Sequence, residues 1–304
     1  MRRLLADLPG TAAVLLATFF WSFSALLAKM VTIDPLLLPG LRAVLAGLLL
    51  LPFFRPRRIH WSWRLPVLVV SFAMISAFVI SAFRFTAAAN ATALYYSSPL
   101  WIFLVTSLLA KAVQKQSLLP SCLLLLGILI ILAEPKLGSN HLGNVMGLCA
   151  GACFACYSYF YNAIPYAERL NHLALCNLCA GPLILLLALL LQPESFAGIA
   201  GYGAYEWGML LVMAVTQLVI PYYLFSIGMA KLPLLRASIL TLGEFVLAPV
   251  WTLVFLNETP TVYGFAGWLF VFAGLLFSLL RSAREEAAAK KLRADQAGRF
   301  TAGQ

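Results

Sequence analysis

Apolar runs of about 17 to 25 residues follow one another along nearly the whole chain, the range in which a helix spans a bilayer. Short polar or proline-containing breaks separate them. At 1.5 Å of rise per residue, each such run forms a helix long enough to cross a hydrocarbon core roughly 30 Å thick. The pattern predicts ten spans, at about 11–31, 36–54, 66–88, 90–110, 117–133, 142–163, 171–192, 206–229, 234–256 and 260–281. The first run has no small-residue cleavage site behind it and is itself long enough to span, so it reads as a retained helix.

The ninth span carries the least expected residue. Leu234 to Leu256 is apolar except near its middle, where Glu244 falls close to the bilayer midplane. A carboxylate there costs at least about 2.5 kcal/mol to insert, so it is expected to face other helices or a water-filled cavity. Helical spacing puts Ala237, Leu240, Thr241, Leu247, Ala248 and Trp251 on the same stripe, a mixture of small, polar and aromatic groups. Ile239, Leu242, Val246, Val250 and Leu253 form an aliphatic opposite face suited to lipid or to packing. Glu244 is either a protonated acid bonded to a neighbouring helix or a substrate and proton site; intramembrane ionisable residues favour the second.

Other spans carry smaller irregularities. Thr18, Trp21, Ser24, Ala25 and Ala28 share a stripe of the first span, where Trp21 either walls a cavity or fills a packing gap. Arg42, about six residues inside its span, either snorkels or pairs with an anionic substrate group, whereas Arg84, near the end of its span, is expected to snorkel. Pro99 and Pro221 lie inside spans and each removes one helical hydrogen bond, freeing the carbonyls of Tyr95 and Gln217. Breaks of this kind suit the wall of a cavity better than a lipid-facing helix. Gly143, Gly147 and Gly151 form a ridge for close helix approach, and Phe154, Tyr157, Ser158 and Tyr161 continue along one face of the same span.

Composition and charge agree with a membrane domain. Hydrophobic residues make up 62% of the chain and charged residues 11%, against roughly 45–50% and 25% in soluble domains; the mean hydropathy is +0.93. No soluble catalytic domain is expected. The net charge of +10 points to topology rather than to nucleic acid. With the N-terminus cytoplasmic, 17 of the 21 basic residues fall on inside segments, while Asp34, Glu134, Glu194, Glu206 and Glu258 fall outside; both termini are therefore expected in the cytoplasm. The tail after Arg281, with Glu286 four residues before Lys290, is expected to form a short helix on anionic headgroups.

No metal or cofactor is expected. Cys153-x-x-Cys156 and Cys176-x-x-Cys179 have zinc-like spacing, but they lie in apolar helical runs where free cysteine behaves as a small hydrophobe. His60, His141 and His172 are expected in loops, and the Gly-rich stretch 193–205 lacks the ending of a phosphate-binding loop.

The halves are weakly self-similar. Residues 81–100 align with 227–246, pairing Ala91 with Ala237, Thr92 with Ser238 and Ser98 with Glu244; Trp21 pairs with Phe154, and LAGLLLL after Arg42 with CAGPLILL near Gly181. Five spans per half is odd, so the halves must enter the membrane in opposite orientation, an arrangement that places a site near the midplane between them.

With Trp21-Ser22 in the first span, Arg42 in the second, AAANATALYYSSPLW at the third and fourth, and LTLGEF with Asn257-Glu258 in and after the ninth, the chain resembles the ten-span EamA-type members of the drug/metabolite transporter superfamily. The resemblance covers about residues 11–281 and implies a bacterial inner-membrane exporter of amino acids or related metabolites. It departs from the family at Phe245, where a proline often follows the glutamate, and at Lys111-Ala112, which replaces an acidic end of the first repeat. A single coupling acid would then be Glu244.

The expected fold is an all-α integral membrane protein of ten helices in two inverted five-helix repeats, 11–133 and 142–281, followed by a basic cytoplasmic tail, 282–304. The expected function is a secondary transporter that exports amino acids or related small metabolites by proton antiport. Its binding residues are Trp21, Tyr95, Ser98, Tyr157, Gln217, Tyr222 and Glu244, with Glu244 as proton carrier and Arg42 as a possible anion contact. Aromatic walls with few polar groups suit a small amphipathic solute. An uncoupled exchanger or importer is the second reading, and a polytopic membrane enzyme or lipid-handling protein the third. The expected partners are a small-molecule substrate and the bilayer, with no nucleic acid, in a monomer or homodimer.

Overall fold

Hydropathy sets the lengths of the helices and prolines set their breaks. The computed structural model describes residues 9–302 except 60, 111–117, 135–138, 163, 166–167 and 233; among them there are helices and no strand. In the first half these are α1 (Gly10–Ser22), α2 (Ser24–Met30), α3 (Leu37–Leu50), α4 (Arg64–Phe85), α5 (Ala88–Tyr95), α6 (Ser98–Ala110) and α7 (Leu118–Leu132). In the second they are α8 (Ser139–Asn162), α9 (Arg169–Leu191), α10 (Ala204–Met213), α11 (Ile220–Lys231), α12 (Leu234–Leu256) and α13 (Val262–Ala302). The expectations for Arg2, Arg3, His60, Lys111, Ala112, Lys115 and Lys136 fall outside the described residues. So do those for the side chains of residues 234–239 and 242 and of the tail after Arg284.

By length and composition, Gly10–Met30, Arg64–Phe85, Arg169–Leu191, Ala204–Gly228 and Val262–Arg281 are long and apolar enough to cross a membrane. Leu37–Phe53, Leu118–Leu132 and Gly243–Leu256 are shorter apolar helices. Leu48, Leu125, Leu129, Leu186, Leu190, Val250 and Val254 lie exposed around the bundle. An exterior this apolar belongs in lipid, and the chain is an all-α, multi-pass membrane protein.

The two halves interlock rather than sit side by side. The first helix of one half, α1, packs on α11 and α12 of the other, and its counterpart α8 packs on α4 and α5. α3 meets α9, and α7 meets α13, each helix crossing its own equivalent. At both crossings glycines occupy matching positions. A Cβ on Gly181 would lie 2.6 Å from Val44 Cγ2, and one on Gly47 would lie 3.0 Å from Leu178 N. Gly127 and Gly267 likewise face each other, each of their added Cβ atoms 2.6 Å from the other's carbonyl oxygen. Gly47 and Gly181 were matched in sequence through the LAGLLLL and CAGPLILL segments. Here residue 44 meets 181 and 47 meets 178, so equivalent helices run antiparallel, as inverted halves require.

The prolines act where expected. α5 ends at Tyr95 and α6 begins at Ser98, just before Pro99. Gly151 of α8 sits against this break: a Cβ there would collide with Ser97 Oγ and lie 2.9 Å from the carbonyl oxygens of Leu94 and Tyr95. Four residues before Pro221, Gln217 lies in a π-helical turn, Ala214–Val219, between α10 and α11. A further proline, Pro249, lies inside α12.

Some local expectations need correction. His141 lies in α8, which begins at Ser139, before the expected start at 142, and His172 lies in the first turn of α9, inside the expected span 171–192, where its Nδ1 is 3.0 Å from the Glu168 carbonyl oxygen. Pro193–Gly201 is a short 3₁₀ helix rather than a loop. The tail is not a separate short helix, because α13 runs on without a break to Ala302. Arg84 does not snorkel: its Nη1 donates to the carbonyls of Ala28 and Val31, which lack helical partners at the end of α2.

The break at α5 and α6 predicts a packing test. Gly151→Ala should lose about 1–3 kcal/mol through overpacking, read as a lower midpoint of thermal unfolding in detergent. Gly208→Ala, whose Cβ meets nothing within 4 Å, should leave the midpoint unchanged or raise it. Equal midpoints for the two variants would contradict this account of the crossing.

Candidate functional site

Glu244 lies midway along α12, half-buried, on the face turned to α1 and α5. The lipid side of the helix is the expected one, with Val246, Val250 and Leu253 exposed. On the inward side Trp251 donates its indole N–H to Ser22 Oγ at 2.8 Å and stacks on Phe23 at 4.8 Å, gripping the turn where α1 gives way to α2.

The carboxylate is held by a residue the sequence reading passed over. Tyr96, in the turn between α5 and α6, has its hydroxyl 3.0 Å from Glu244 Oε2 and 3.1 Å from the Thr241 carbonyl oxygen. One hydroxyl proton serves either acceptor in turn. Phe245, fully buried, packs edge-on against Tyr96 at 5.4 Å and stacks on Trp268 at 4.9 Å. That explains the departure at this position: an aromatic following the glutamate fixes the tyrosine that binds it. Pro249 lies four residues further along, and the Phe245 carbonyl that it frees accepts the indole N–H of Trp268 at 3.4 Å.

The same device forms the other wall. The Gln217 carbonyl freed by Pro221 accepts the indole N–H of Trp21 at 3.0 Å. Trp21 in turn meets Tyr222 edge-on at 5.1 Å and Phe225 at 5.4 Å. Tyr222 contacts Phe72 at 6.1 Å, and Phe72 contacts Tyr157 at 5.6 Å. Tyr95 lies edge-on to both Tyr96 at 5.4 Å and Phe154 at 5.2 Å. Tyr95, Phe154 and Tyr222 all pack against one buried cluster that includes Phe72 and Tyr157, which joins the two walls.

Of the expected site residues, the structure thus groups Trp21, Gln217, Tyr222 and Tyr157 on one side and Tyr95 and Glu244 on the other. Ser98, aligned with Glu244 in the repeat, is buried at the start of α6, and among the described contacts none ties it to Glu244. Its neighbour Ser97 is the one that bonds, accepting from Trp101 Nε1 at 3.2 Å. Arg42 does not snorkel either. It is buried, with Nη1 donating to Gln217 Oε1 at 2.7 Å and Nη2 to Ser76 Oγ at 3.1 Å.

The two ends of the bundle differ. At one end Lys29 Nζ contacts Glu258 Oε2 at 2.5 Å and donates to the Thr86 carbonyl at 3.0 Å, while Glu258 Oε1 accepts from the Ala88 N–H at 2.6 Å. Asn257, with φ of 52°, turns the chain so that Glu258 points back into the bundle; asparagine is among the few residues that adopt this conformation readily. This ties the ends of α2 and α12 to the start of α5, where the carboxylate also suits the first turn of a helix. At the other end lies a cleft of about 270 Å³, lined among others by Ser62, Arg64, Phe160, Glu168 and His172.

Comparison with known proteins places these features in a family. The model of the EamA-like transporter family matches the chain twice, over residues 8–133 and 141–280. An uncharacterized transporter of Archaeoglobus fulgidus is 25% identical over 274 residues, covering 88% of this chain and 96% of its own. A protein of known crystal structure shares the fold, with a TM-score of 0.57 at 20% identity over 89% of this chain and 97% of its own.

The Lys29 end offers a test of what closes it. Glu258→Gln keeps shape but removes the charge opposite Lys29 and weakens the bond from the Ala88 N–H. A cysteine placed at buried Val31 should then react severalfold faster with a membrane-impermeant maleimide than the same cysteine beside Glu258, with the native cysteines replaced in both proteins. Equal rates would mean that the ion pair does not hold this end shut.

Proposed function

This chain belongs to the EamA-like transporter family, and we propose that it is a ten-span secondary transporter of the cytoplasmic membrane that exports amino acids or related small metabolites in exchange for protons. It is a membrane transporter by family; substrate, direction and coupling are the proposal. The observation that carries it is the contact of Tyr96 with Glu244, an intramembrane acid on a helix of one half met by a hydroxyl from the other.

Glu244 is the proton carrier in this reading, because it is an intramembrane acid and no basic residue forms an ion pair with it among the described residues. Tyr96 serves both states of the acid. When Glu244 is ionised the phenol donates to the carboxylate. When it is protonated the acid donates to the phenolic oxygen, whose own proton turns to the Thr241 carbonyl, an acceptor at nearly the same distance. Tyr96 keeps its bond to Glu244 Oε2 in both states, so the acid can change charge without rebuilding this contact. Trp21, Tyr95, Tyr157 and Tyr222 supply apolar walls for the body of the solute.

The Lys29 end is taken as the outer side, with both termini cytoplasmic. Its closure by Glu258, together with the cleft at the opposite end, supports a resting form shut to the outside. Reporter or cysteine-accessibility fusions at Ser139 and Arg284 should fall on opposite sides of the membrane; finding both on one side would overturn the topology.

The mechanism is tested in proteoliposomes. Glu244→Gln keeps shape and hydrogen bonding but removes titration. The variant should lose accumulation driven by a pH gradient while retaining solute exchange at equal pH. Gradient-driven uptake equal to that of the parent protein would eliminate proton coupling at this residue.

A further inference from the structure

Arg42, Gln217 and Ser76 form a cluster that the proton-coupled mechanism leaves unused. Arg42 lies five residues inside α3, about 8 Å from the helix end at 1.5 Å per residue. Its side chain and that of Gln217 are 5% and 2% exposed. The partners of its guanidinium, Gln217 Oε1 and Ser76 Oγ, are both neutral. Among the described residues no carboxylate pairs with it. A full positive charge is thus held away from water by dipoles alone, and such a charge is strongly disfavoured unless an opposite one compensates it.

The bonding capacity left over has a single character. Arg42 Nε and Gln217 Nε2 are both buried without a hydrogen-bond partner. Guanidinium offers only donors, and the glutamine oxygen is already engaged, so what remains is N–H from two residues bonded to each other. Positive charge with surplus donors fits an acceptor-rich anion and fits neither a cation nor an apolar group. Glu244 does not fill that role, because its carboxylate is engaged with Tyr96.

The cluster also lies directly behind the wall of the candidate site. The backbone carbonyl of Gln217 accepts from Trp21, which packs on Tyr222. The π-helical turn around Gln217 therefore bonds with its carbonyl to the aromatic wall and with its side chain to the buried cation. Local widening of this kind is how a helix presents groups that a regular turn would keep to itself.

We propose that Arg42 and Gln217 form an anion subsite of the transport site, taking a carboxylate of the transported solute. This rests on the transporter reading. A carboxylate accepts the Arg42 Nε–H and the Gln217 amide together and neutralises the guanidinium. A solute lacking the carboxylate leaves both donors unsatisfied in a buried site, which makes the preference steep. A charge-assisted hydrogen bond of this kind corresponds to roughly tenfold to a hundredfold in affinity.

The test uses full-length protein in liposomes and matched solute pairs, phenylalanine with phenylalaninamide and phenylacetate with phenylacetamide, as substrates and as competitors. The acid of a pair should be favoured over its amide by about tenfold or more. Arg42→Gln should bring that ratio close to one, and Arg42→Lys should keep part of it. Because Arg42→Gln removes two bonds and can fail to fold, Gln217→Glu provides the decisive variant. It places an anion of the protein's own beside Arg42, so it should raise the unfolding midpoint while abolishing the preference for acids. A trapped water, or a purely structural cluster, predicts the higher midpoint with the preference intact, and that result would overturn the subsite. Equal handling of acids and amides by the parent protein would overturn it too, leaving the transporter standing. Flux of neither member of either pair, in a preparation that moves no other solute, would overturn the transporter reading and this inference with it.

Discussion

Hydrocarbon offers a helix nothing to bond with, so every backbone group released inside a membrane must find a partner in the protein. This bundle releases several, at Pro99, Pro221 and Pro249, and the answers to those releases make the site. Trp21 donates to the carbonyl freed by Pro221, and Trp268 to the one freed by Pro249. At the first break Ser97 accepts from Trp101, and the glycine at 151 lets α8 close over the exposed carbonyls. An indole suits the task because it carries one donor at the edge of a large apolar body. Trp21 and Trp268 therefore each satisfy a backbone group and pack an aromatic cluster in the same contact.

The position of the acid follows from this arrangement. Tyr96 lies in the turn between α5 and α6, and only that turn aims its hydroxyl across the interface at Glu244. An unbroken helix through residues 95–98 would carry Tyr96 along the helix surface instead. Phe245 then wedges the ring in place from the side of α12. The site is thus held by elements that are rigid because they are buried, although it consists of helix irregularities.

Much of this was legible in the sequence, because it depends on local rules. Hydropathy predicted where the helices lie, the prolines predicted which carbonyls come free, and the glycine ridge of α8 predicted close packing. The odd number of spans per half implied inversion, and the antiparallel glycine crossings at Gly47 with Gly181 and at Gly127 with Gly267 bear that out. What escaped was pairing across the halves. Nothing local distinguishes Tyr96 from Tyr95: Pro99 releases the carbonyl of Tyr95, whereas the hydroxyl that meets Glu244 belongs to its neighbour. The partners of Arg42 and Arg84 were missed for a related reason. Snorkelling is an argument about one helix in lipid, and both arginines instead found acceptors on other helices.

Symmetry explains one further difference. Lys29 and Glu258 close one end, and an inverted repeat would permit the same closure at the other. The repeat offsets that pair Trp21 with Phe154 and Ser98 with Glu244 match Lys29 to Asn162 and Glu258 to Ala112. Neither mate carries a charge. The halves share a fold, but the Lys29–Glu258 pair has no counterpart at the repeat-related positions. Exposed ion pairs contribute little, yet this one is partly buried and also caps the first turn of α5, so its loss would unseat a helix start along with a charge. The duplicated helices thus repeat their glycine crossings in packing, while this ion pair is a feature that the repeat does not duplicate.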